Sequence, residues 1–484
     1  MNKNLSIALA VAASGILGLS QSAIAQNAII EVTGATAFRQ GALDAIRARF
    51  IASGSPYTIR WQGTGVFNAS TRAIFRGNFQ TSDGDPTNNP DPVLTDIMIR
   101  TSFTGSTDGL RALDLSDYST PGADGVNPAT YLPTTTIPLI AAVILEANGA
   151  TNTPAAADSD FSFSDVNVNL IPPQFIDGSD FLGGNLGVVT FTPIVNDGNT
   201  LAASIAPEFG NLTNVTSQNF RRLFTAGRLP LSLFTGNSTH TNRSVVASGR
   251  NDGSGTRAVY TSETGIGLTT VLQQFVADQF DSTIPSGFGN GVITRLRQAP
   301  VVTNITAIDA RSLALPAVNV AINGAAPILG DTTNGNGGYV SGGLLSANLL
   351  PYTSKSTQIV NAAGTFQIAA AAPVAVLTVL STADAIAPIA AGARAVGYNG
   401  VSITPAGPLS PTDRDKVVYG QYTFWSFQTF YGKDLDANEQ SFSDTLFAEI
   451  GAVIEANGTG ISLTAMQVGR VDIDGSTVIS APQP

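Results

Sequence analysis

One turn in this 484-residue chain carries the most specific chemistry: Arg250-Asn251-Asp252-Gly253-Ser254-Gly255-Thr256-Arg257. Its glycines let the backbone adopt positive φ and approach a ligand closely, so that successive N–H groups can point at one centre. Ser254 and Thr256 can each donate a hydroxyl proton, and the planar fork of Arg250 suits phosphate or carboxylate oxygens. Residues 258–262 are predicted to begin a helix, whose N-terminus attracts anions. The turn therefore predicts an oxyanion site.

The same residues permit a plainer interpretation. An Asn-Asp-Gly-Ser-Gly sequence is also typical of an ordinary surface turn in a glycine-rich protein. No Gly-Lys-Ser/Thr follows, so the turn is not the phosphate loop of nucleotide hydrolases. Other segments of the chain must decide between a surface turn and an anion site.

The pattern Arg250-x-Asp252-Gly253-Ser254-Gly255-Thr256 resembles the signature loop of periplasmic phosphate-binding proteins, the substrate-binding subunits of phosphate ABC transporters. The resemblance implies an α/β chain with the type II periplasmic-binding-protein fold, in which two α/β domains joined by two crossover segments enclose a ligand cleft. It also implies that phosphate is bound by Arg250, by the hydroxyls of Ser254 and Thr256, and by backbone N–H groups including that of Gly255.

Two earlier turns resemble further loops of that family. Residues 33–38 follow a predicted strand, and the resemblance makes Thr36 a hydroxyl donor and Ala37 a backbone N–H donor to phosphate. Residues 105–113 resemble a turn into a helix, with Ser106 as a second hydroxyl donor. Without the resemblance, both segments would be ordinary strand-to-helix turns.

The segment 160–165 resembles a strand end of the same family, whose final carboxylate, here Asp165, accepts a hydrogen bond from a protonated phosphate oxygen. HPO4(2−) and H2PO4(−) carry such a proton, whereas sulfate at neutral pH does not and would meet a buried carboxylate directly. Asp165 is thus predicted to select phosphate over sulfate. Taken by itself, without the neighbouring motifs, it would be interpreted as a solvated loop residue or a helix N-cap.

Composition and charge exclude several other classes of protein. Hydrophobic residues make up 43% of the chain and charged residues 12%, so the chain is too apolar to be disordered. A formal net charge of −11 provides no general field for nucleic acid or anionic membranes, so an anion must be held by local groups. The lack of cysteine excludes disulfides, thiol catalysis and a lipid-modified N-terminal Cys. The single histidine, His240, excludes a multi-histidine metal site and is interpreted as a surface or loop residue.

Residues 1–25 are predicted to be a secretory signal peptide. Lys3 provides the charged start, an apolar run follows, and Ala23-Ile24-Ala25 provides a small-x-small cleavage site. No membrane span is predicted in the mature chain, because the apolar run 368–380 is short and contains Pro373. The mature protein is therefore expected to be periplasmic or secreted.

The resemblance also implies a division into domains. Residues 26–195 are expected to form most of the first domain, 196–418 the second, and 419–484 the return to the first. The two crossover segments are predicted at 185–195 and 421–425.

Three polar stretches are interpreted as insertions into this pattern: 63–92, 113–157 and 281–372. A short helix is predicted near 140–147, and a longer one after the oxyanion turn, at 261–280. The glycine-rich stretch 334–343 either borders the ligand cleft or, as its composition favours, forms a flexible surface turn.

Together these observations predict a monomeric binding protein, not an enzyme, that reversibly binds inorganic phosphate without a cofactor and presents it to an ABC permease. Two alternatives stay open. The polar stretches would also suit a secreted or cell-surface adhesion or matrix protein that reuses this fold. The second alternative is a phosphate-ester hydrolase. It ranks below the other two functions, because the sequence shows neither a metal cluster nor an obvious nucleophile–base pair.

Overall fold

The computed structural model describes most of the chain between Ala28 and Ser480. The described ranges are 28–62, 66–84, 91–103, 105–113, 132–133, 144–148, 154–155, 159–168, 178–196, 207–251, 254–281, 292–299, 335–339, 342–350, 354–361, 365–470 and 478–480. The predicted signal peptide lies outside these ranges, as do Asp252, Gly253 and most of the stretch 113–157. No helix within the described ranges is long and apolar enough to cross a membrane.

The strands, in chain order, are β1 (Ala28–Gly34), β2 (Tyr57–Trp61), β3 (Arg72–Gln80), β4 (Val93–Ser102), β5 (Leu132–Pro133), β6 (Leu145–Asn148), β7 (Pro154–Ala155), β8 (Phe161–Ser164), β9 (Leu182–Val195), β10 (Asn214–Val215), β11 (Arg228–Pro230), β12 (Ser244–Ala247), β13 (Phe275–Asp281), β14 (Val292–Gln298), β15 (Thr357–Val360), β16 (Phe366–Ala372), β17 (Val374–Ser381), β18 (Arg394–Ala395), β19 (Gly397–Tyr398), β20 (Trp425–Gly432), β21 (Val468–Arg470) and β22 (Val478–Ser480).

The α-helices are α1 (Arg39–Ala52), α2 (Ser106–Leu113), α3 (Ser217–Ala226), α4 (Ser232–Thr235), α5 (Gly255–Glu263), α6 (Gly342–Asn348), α7 (Thr382–Ala390), α8 (Pro411–Val418) and α9 (Ala437–Asn457).

Twelve of the described strands form one mixed sheet, in the order β11-β12-β17-β9-β20-β8-β1-β4-β3-β2-β6, with β18 also paired to β9. β1 runs parallel to both β4 and β8, and β12 runs parallel to β17. β3, β9 and β20 run antiparallel to their neighbours. This mixed sheet and its helices confirm the predicted α/β class.

Strand β9 takes part in both regions of this sheet. From Leu182 to Thr190 it pairs with β20, and from Phe191 to Val195 it pairs with β17. Just before β20, the hydroxyl of Tyr422 donates to the carbonyl of Phe191 at 2.6 Å. Strand β9 therefore links the two regions of the sheet. We call β20, β8, β1, β4, β3, β2 and β6 with α1, α2 and α9 the first half, and β11, β12, β17 and β18 with α3, α5 and α7 the second half.

The first half is held together by an aromatic core under α9. The rings of Phe161 and Phe430 stack with centroids 4.8 Å apart, and the ring of Phe442 lies 5.4 Å from those of Phe161 and Phe79. Helix α9 starts with a capping box, in which the Asp436 side chain accepts from two backbone N–H groups. The cap fixes where α9 begins and therefore which of its side chains enter the core.

Strands replace two predicted features of the polar stretches. The stretch interpreted as an insertion at 63–92 contains β3, which pairs with both β2 and β4 in the sheet. The predicted helix near 140–147 is wrong, because Leu145–Asn148 pair in parallel with β2. Hydrogen bonding to a neighbouring strand outweighed the weak helical pattern in this segment.

The region after the oxyanion turn also differs from its prediction. The helix predicted at 261–280 is wrong, since α5 already ends at Glu263 and Phe275 begins β13. Strands β13, β14, β15 and β16 form a separate four-stranded sheet, so the stretch 281–372 is in part regular structure. Its buried side chains, including Ile293 and Leu296, pack with Val374 and Val376 of β17 in a second core cluster.

The aromatic core makes a stability prediction with a matched control in α9. Phe442 is fully buried, whereas Phe447 of the same helix is 40% exposed. We expect Phe442→Ala to lower the free energy of unfolding by about 3–5 kcal/mol, because it removes a buried ring and leaves a cavity. Phe447→Ala should cost clearly less. Urea unfolding followed by circular dichroism measures both; equal costs would contradict this description of the core.

Candidate oxyanion site

The oxyanion turn connects β12 to α5. The side chain of Ser254 is the N-cap of α5 and accepts a hydrogen bond from the N–H of Arg257 at 3.3 Å. The helix begins at Gly255, three residues before the predicted start, so Gly255 and Thr256 lie in its first turn. Ser254 and Thr256 are both buried. The backbone N–H groups at this helix start are of the kind that bind anions.

Arg250 is deeply buried, with 1% of its surface exposed, and is less exposed than Arg257 at 5%. Its Nε donates to the carbonyl of Tyr339 at 3.0 Å, and its Nη1 donates to the hydroxyl of Thr36 at 3.4 Å. Its own carbonyl accepts from the side chain of Gln274 at 3.1 Å. A buried guanidinium needs acceptors such as Tyr339 and Thr36, because an unpaired buried charge is strongly destabilising. The contacts with these two residues fix the direction of the guanidinium fork.

The glycine-rich stretch 334–343 supplies one of these contacts, and its interpretation as a flexible surface turn is wrong. Tyr339 is fully buried, and it forms an isolated parallel bridge with Arg250. A Cβ at Gly338 would lie 2.6 Å from the Arg250 carbonyl oxygen, so only glycine allows this close approach. Arg257 also donates to the backbone and side-chain oxygens of Asn336. A tyrosine among clustered glycines was the signal for a buried loop.

Thr36 and Ala37 lie in the turn between β1 and α1, and both are buried. The turn begins at Gly34, whose φ is +133°, and a Cβ there would collide with the backbone of Phe163 in β8. The N–H of the next residue, Ala35, donates to the Phe163 carbonyl at 2.7 Å. Packing on β8 therefore holds the turn so that the Thr36 hydroxyl reaches Arg250.

Asp165 follows the last residue of β8, and Ser106 is the first residue of α2. The Ser106 hydroxyl donates to Oδ1 of Asp165, and both side chains are 1% exposed. Burial raises the pKa of the Asp165 carboxyl to about 6, although the Ser106 hydrogen bond and the positive charge of Arg250 act in the opposite direction. Asp165 is therefore a buried acceptor whose pKa lies well above the ordinary value of a carboxyl group.

Gly255 brings the second half of the fold against this carboxylate. A Cβ at Gly255 would collide with both the Asp165 carboxylate and the Ser106 hydroxyl. The start of α5 therefore faces the start of α2 and the end of β8 directly. The structure thus places the predicted residues in one buried region. Thr36 and the neighbouring Ala37 lie beside Arg250. Ser106 and Asp165 lie beside Gly255, which Ser254 and Thr256 flank in the sequence.

Other features of the described residues lie apart from this cluster. A cavity of about 270 Å³ is lined by Thr190, Thr382, Arg414, Glu455 and neighbouring residues, none of them predicted for the oxyanion site. His240 is buried rather than on the surface, and its ring nitrogens contact the side chains of Thr235 and Asn237. Within the described ranges, no group of three His, Asp or Glu side chains could hold a metal ion.

Solved structures that are similar to this chain include proteins from three bacteria. One, from Clostridium perfringens, is assigned as a phosphate ABC transporter substrate-binding protein with bound phosphate; identity is 11%, TM-score 0.40, and the match covers 90% of this chain and 99% of that one. An ABC-type phosphate transport receptor from Vibrio cholerae matches at 10% identity and TM-score 0.37, with the same coverages. PstS from Borrelia burgdorferi matches at 11% identity and TM-score 0.34, again with the same coverages.

No protein-family model matches the chain. No curated protein matches it in sequence. Because the structural similarities are low in both identity and superposition, the function proposed below rests on the residues of the site.

Proposed function

We propose that this protein reversibly binds inorganic phosphate at the oxyanion site. The observation that carries the proposal is the burial of one guanidinium, Arg250, next to helix starts and hydroxyl groups and close to a carboxylate that titrates near pH 6. The guanidinium fork and the N–H groups at the start of α5 suit the unprotonated oxygens of the anion. The carboxylate of Asp165 suits its protonated oxygen.

Selectivity follows from this pairing of donors with one acceptor. A buried carboxylate repels an anion unless a proton lies between them. Phosphate carries that proton at neutral pH, and sulfate does not. We therefore propose Thr36, Ser106, Arg250, Ser254, Gly255 and Thr256, with the backbone of Ala37, as donors, and Asp165 as the group that discriminates against sulfate.

The site is buried between contributions from both halves, so ligand exchange requires the halves to separate. We propose that the halves are the two predicted domains, with β9 and the segment before β20 as the crossovers between them. Opening would occur by a hinge movement in these two segments. Delivery of phosphate to an ABC-type permease in the closed form belongs to the same proposal.

The first test concerns the fork of Arg250. The chain, stripped of ligand, should bind phosphate with a Kd of about 1 μM, equivalent to about −8 kcal/mol. Arg250→Lys keeps the charge but loses the planar fork, and we expect affinity to fall about 10- to 100-fold. The matched control is Arg222→Lys in α3, because Arg222 is exposed.

Isothermal titration calorimetry measures the three affinities, and thermal unfolding shows whether each variant is folded. Equal phosphate affinity for a folded Arg250→Lys variant and the wild type would place the ligand elsewhere. Loss of affinity in Arg222→Lys would mean that the loss in Arg250→Lys is not specific to the oxyanion site.

The second test uses the titration of Asp165. Sulfate should bind poorly at pH 7.5 and more tightly as the pH falls below about 6, because the protonated carboxyl can then donate a hydrogen bond to sulfate. Asp165→Asn places an amide donor there permanently, so this variant should bind sulfate at pH 7.5 with little pH dependence. Titration of both proteins with sulfate between pH 5 and about 8 measures this. If Asp165→Asn had the same pH dependence of sulfate affinity as the wild type, Asp165 would not belong to the ligand site.

A stability measurement checks the same pKa without ligand. The pKa of Asp165 is about 6 in the folded chain, above its ordinary value of 3.8, so the folded state holds this proton more tightly than the unfolded state. The contribution of Asp165 to the free energy of unfolding should therefore fall as the pH rises from about 4 to about 6. Asp165→Asn should lack that contribution, and urea titrations of both proteins across this pH range would detect the difference.

A further inference from the structure

A second carboxylate, that of Asp384, lies beside Arg250 and has no role in the site described so far. Asp384 is in the first turn of α7, in the second half, and its N–H donates to the capping hydroxyl of Ser381 at 3.2 Å. A Cβ at Gly342 would collide with Oδ2 of Asp384 and lie 3.5 Å from Nη1 of Arg250. The carboxylate and the guanidinium therefore converge on the same point, the start of α6.

Arg39 approaches Asp384 from the first half. It is the first residue of α1 and follows the turn that contains Thr36 and Ala37. Its Nε is buried and has no hydrogen-bond partner among the described residues, while the side chain as a whole is partly exposed. Burial raises the pKa of the Asp384 carboxyl, and the positive charges of Arg39 and then Arg250 oppose that rise. Asp384 is thus within electrostatic reach of both arginines.

These four charged groups alternate in sign, and each half of the fold contributes two of them. Arg39 is in the first half, Asp384 and Arg250 are in the second, and Asp165 is in the first again. Asp384 and Arg39 attract each other without forming a direct ion pair in the described part of the chain. An attraction between residues of different halves is strongest when the halves are closed.

We propose that Asp384 is a positioning residue of the oxyanion site, which holds the Arg250 guanidinium towards the ligand and draws Arg39 of the opposite half over the bound anion. The inference rests on the proposed phosphate-binding function. It assigns Asp384 and Arg39 to the closed state, in addition to the donors and the acceptor named above.

The direction in which phosphate affinity changes when the Asp384 charge is removed distinguishes a positioning residue from a carboxylate that merely lies near the site. A negative charge that merely lies near the site repels phosphate, so its removal would tighten binding. A carboxylate that orients Arg250 and attracts Arg39 has the opposite effect, and its removal would weaken binding. Asp384→Asn keeps the shape of the side chain and removes the charge, so it distinguishes the two.

The experiment measures phosphate affinity by calorimetry and phosphate release by stopped-flow fluorescence for the wild type and a set of variants. We expect Asp384→Asn to weaken phosphate binding about tenfold, mainly through faster release, and Asp384→Glu to recover part of the loss. The ratio of phosphate to sulfate affinity should stay at its wild-type value, because Asp165 is intact. Asp415→Asn is the matched control, since it removes the same charge from an exposed position on α8.

A double-mutant cycle tests the attraction between the halves. Arg39→Gln should also weaken phosphate binding, and its effect in the Asp384→Asn background should be clearly smaller than in the wild type. Urea unfolding of each variant shows whether it is folded. If Asp384→Asn is misfolded, the double-mutant cycle is built from the Arg39→Gln and Asp384→Glu variants instead.

The outcomes separate the inference from the proposed function. If the wild type binds phosphate but Asp384→Asn binds equally or more tightly, Asp384 is a bystander and the inference is wrong. Independent effects of Arg39 and Asp384 would likewise overturn the attraction across the cleft. If the wild type does not bind phosphate, the proposed function fails, and the inference fails with it.

Discussion

The burial of the Arg250 guanidinium is the constraint on which the rest of the site depends. A cation with 1% exposure needs acceptors, because removing it from water costs several kcal/mol that only good geometry offsets. The acceptors come from distant parts of the chain: the carbonyl of Tyr339, the hydroxyl of Thr36 and, by charge, Asp165. The close approaches of Gly338 and Gly255 follow, since a side chain at either position would push these partners apart.

Much of the candidate site could be predicted from sequence because its residues sit in short turns at the ends of β1, β4, β8 and β12. The local backbone geometry of these turns decides where Thr36, Ser106 and Ser254 point, and a short sequence motif is enough to indicate that geometry. The loop at 335–339 could not be predicted in the same way. Its contact with Arg250 joins residues 89 positions apart, and its glycines equally suit a flexible turn. Asp384 was missed for the same reason, as no local pattern links it to Arg250.

The fold shows a similar division between local and distant information. The start of a helix directly after the oxyanion turn could be predicted, because the signal for α5 lies within the segment itself. β3 could not, since its polar surroundings resemble an insertion and only pairing with β2 on one side and β4 on the other makes it a strand. The helix predicted after the oxyanion turn failed because apolar residues such as Phe275 at helical spacing instead belong to a strand with its own partner.

The contact between Arg250 and Tyr339 also bears on how the protein is made. The candidate oxyanion site joins Thr36 from near the start of the chain to the Tyr339 carbonyl from two thirds of the way along it. A nascent or unfolded chain therefore lacks the assembled candidate site, even when the segments that precede Tyr339 have already folded. During synthesis the candidate site would therefore be completed only after the late segments have docked.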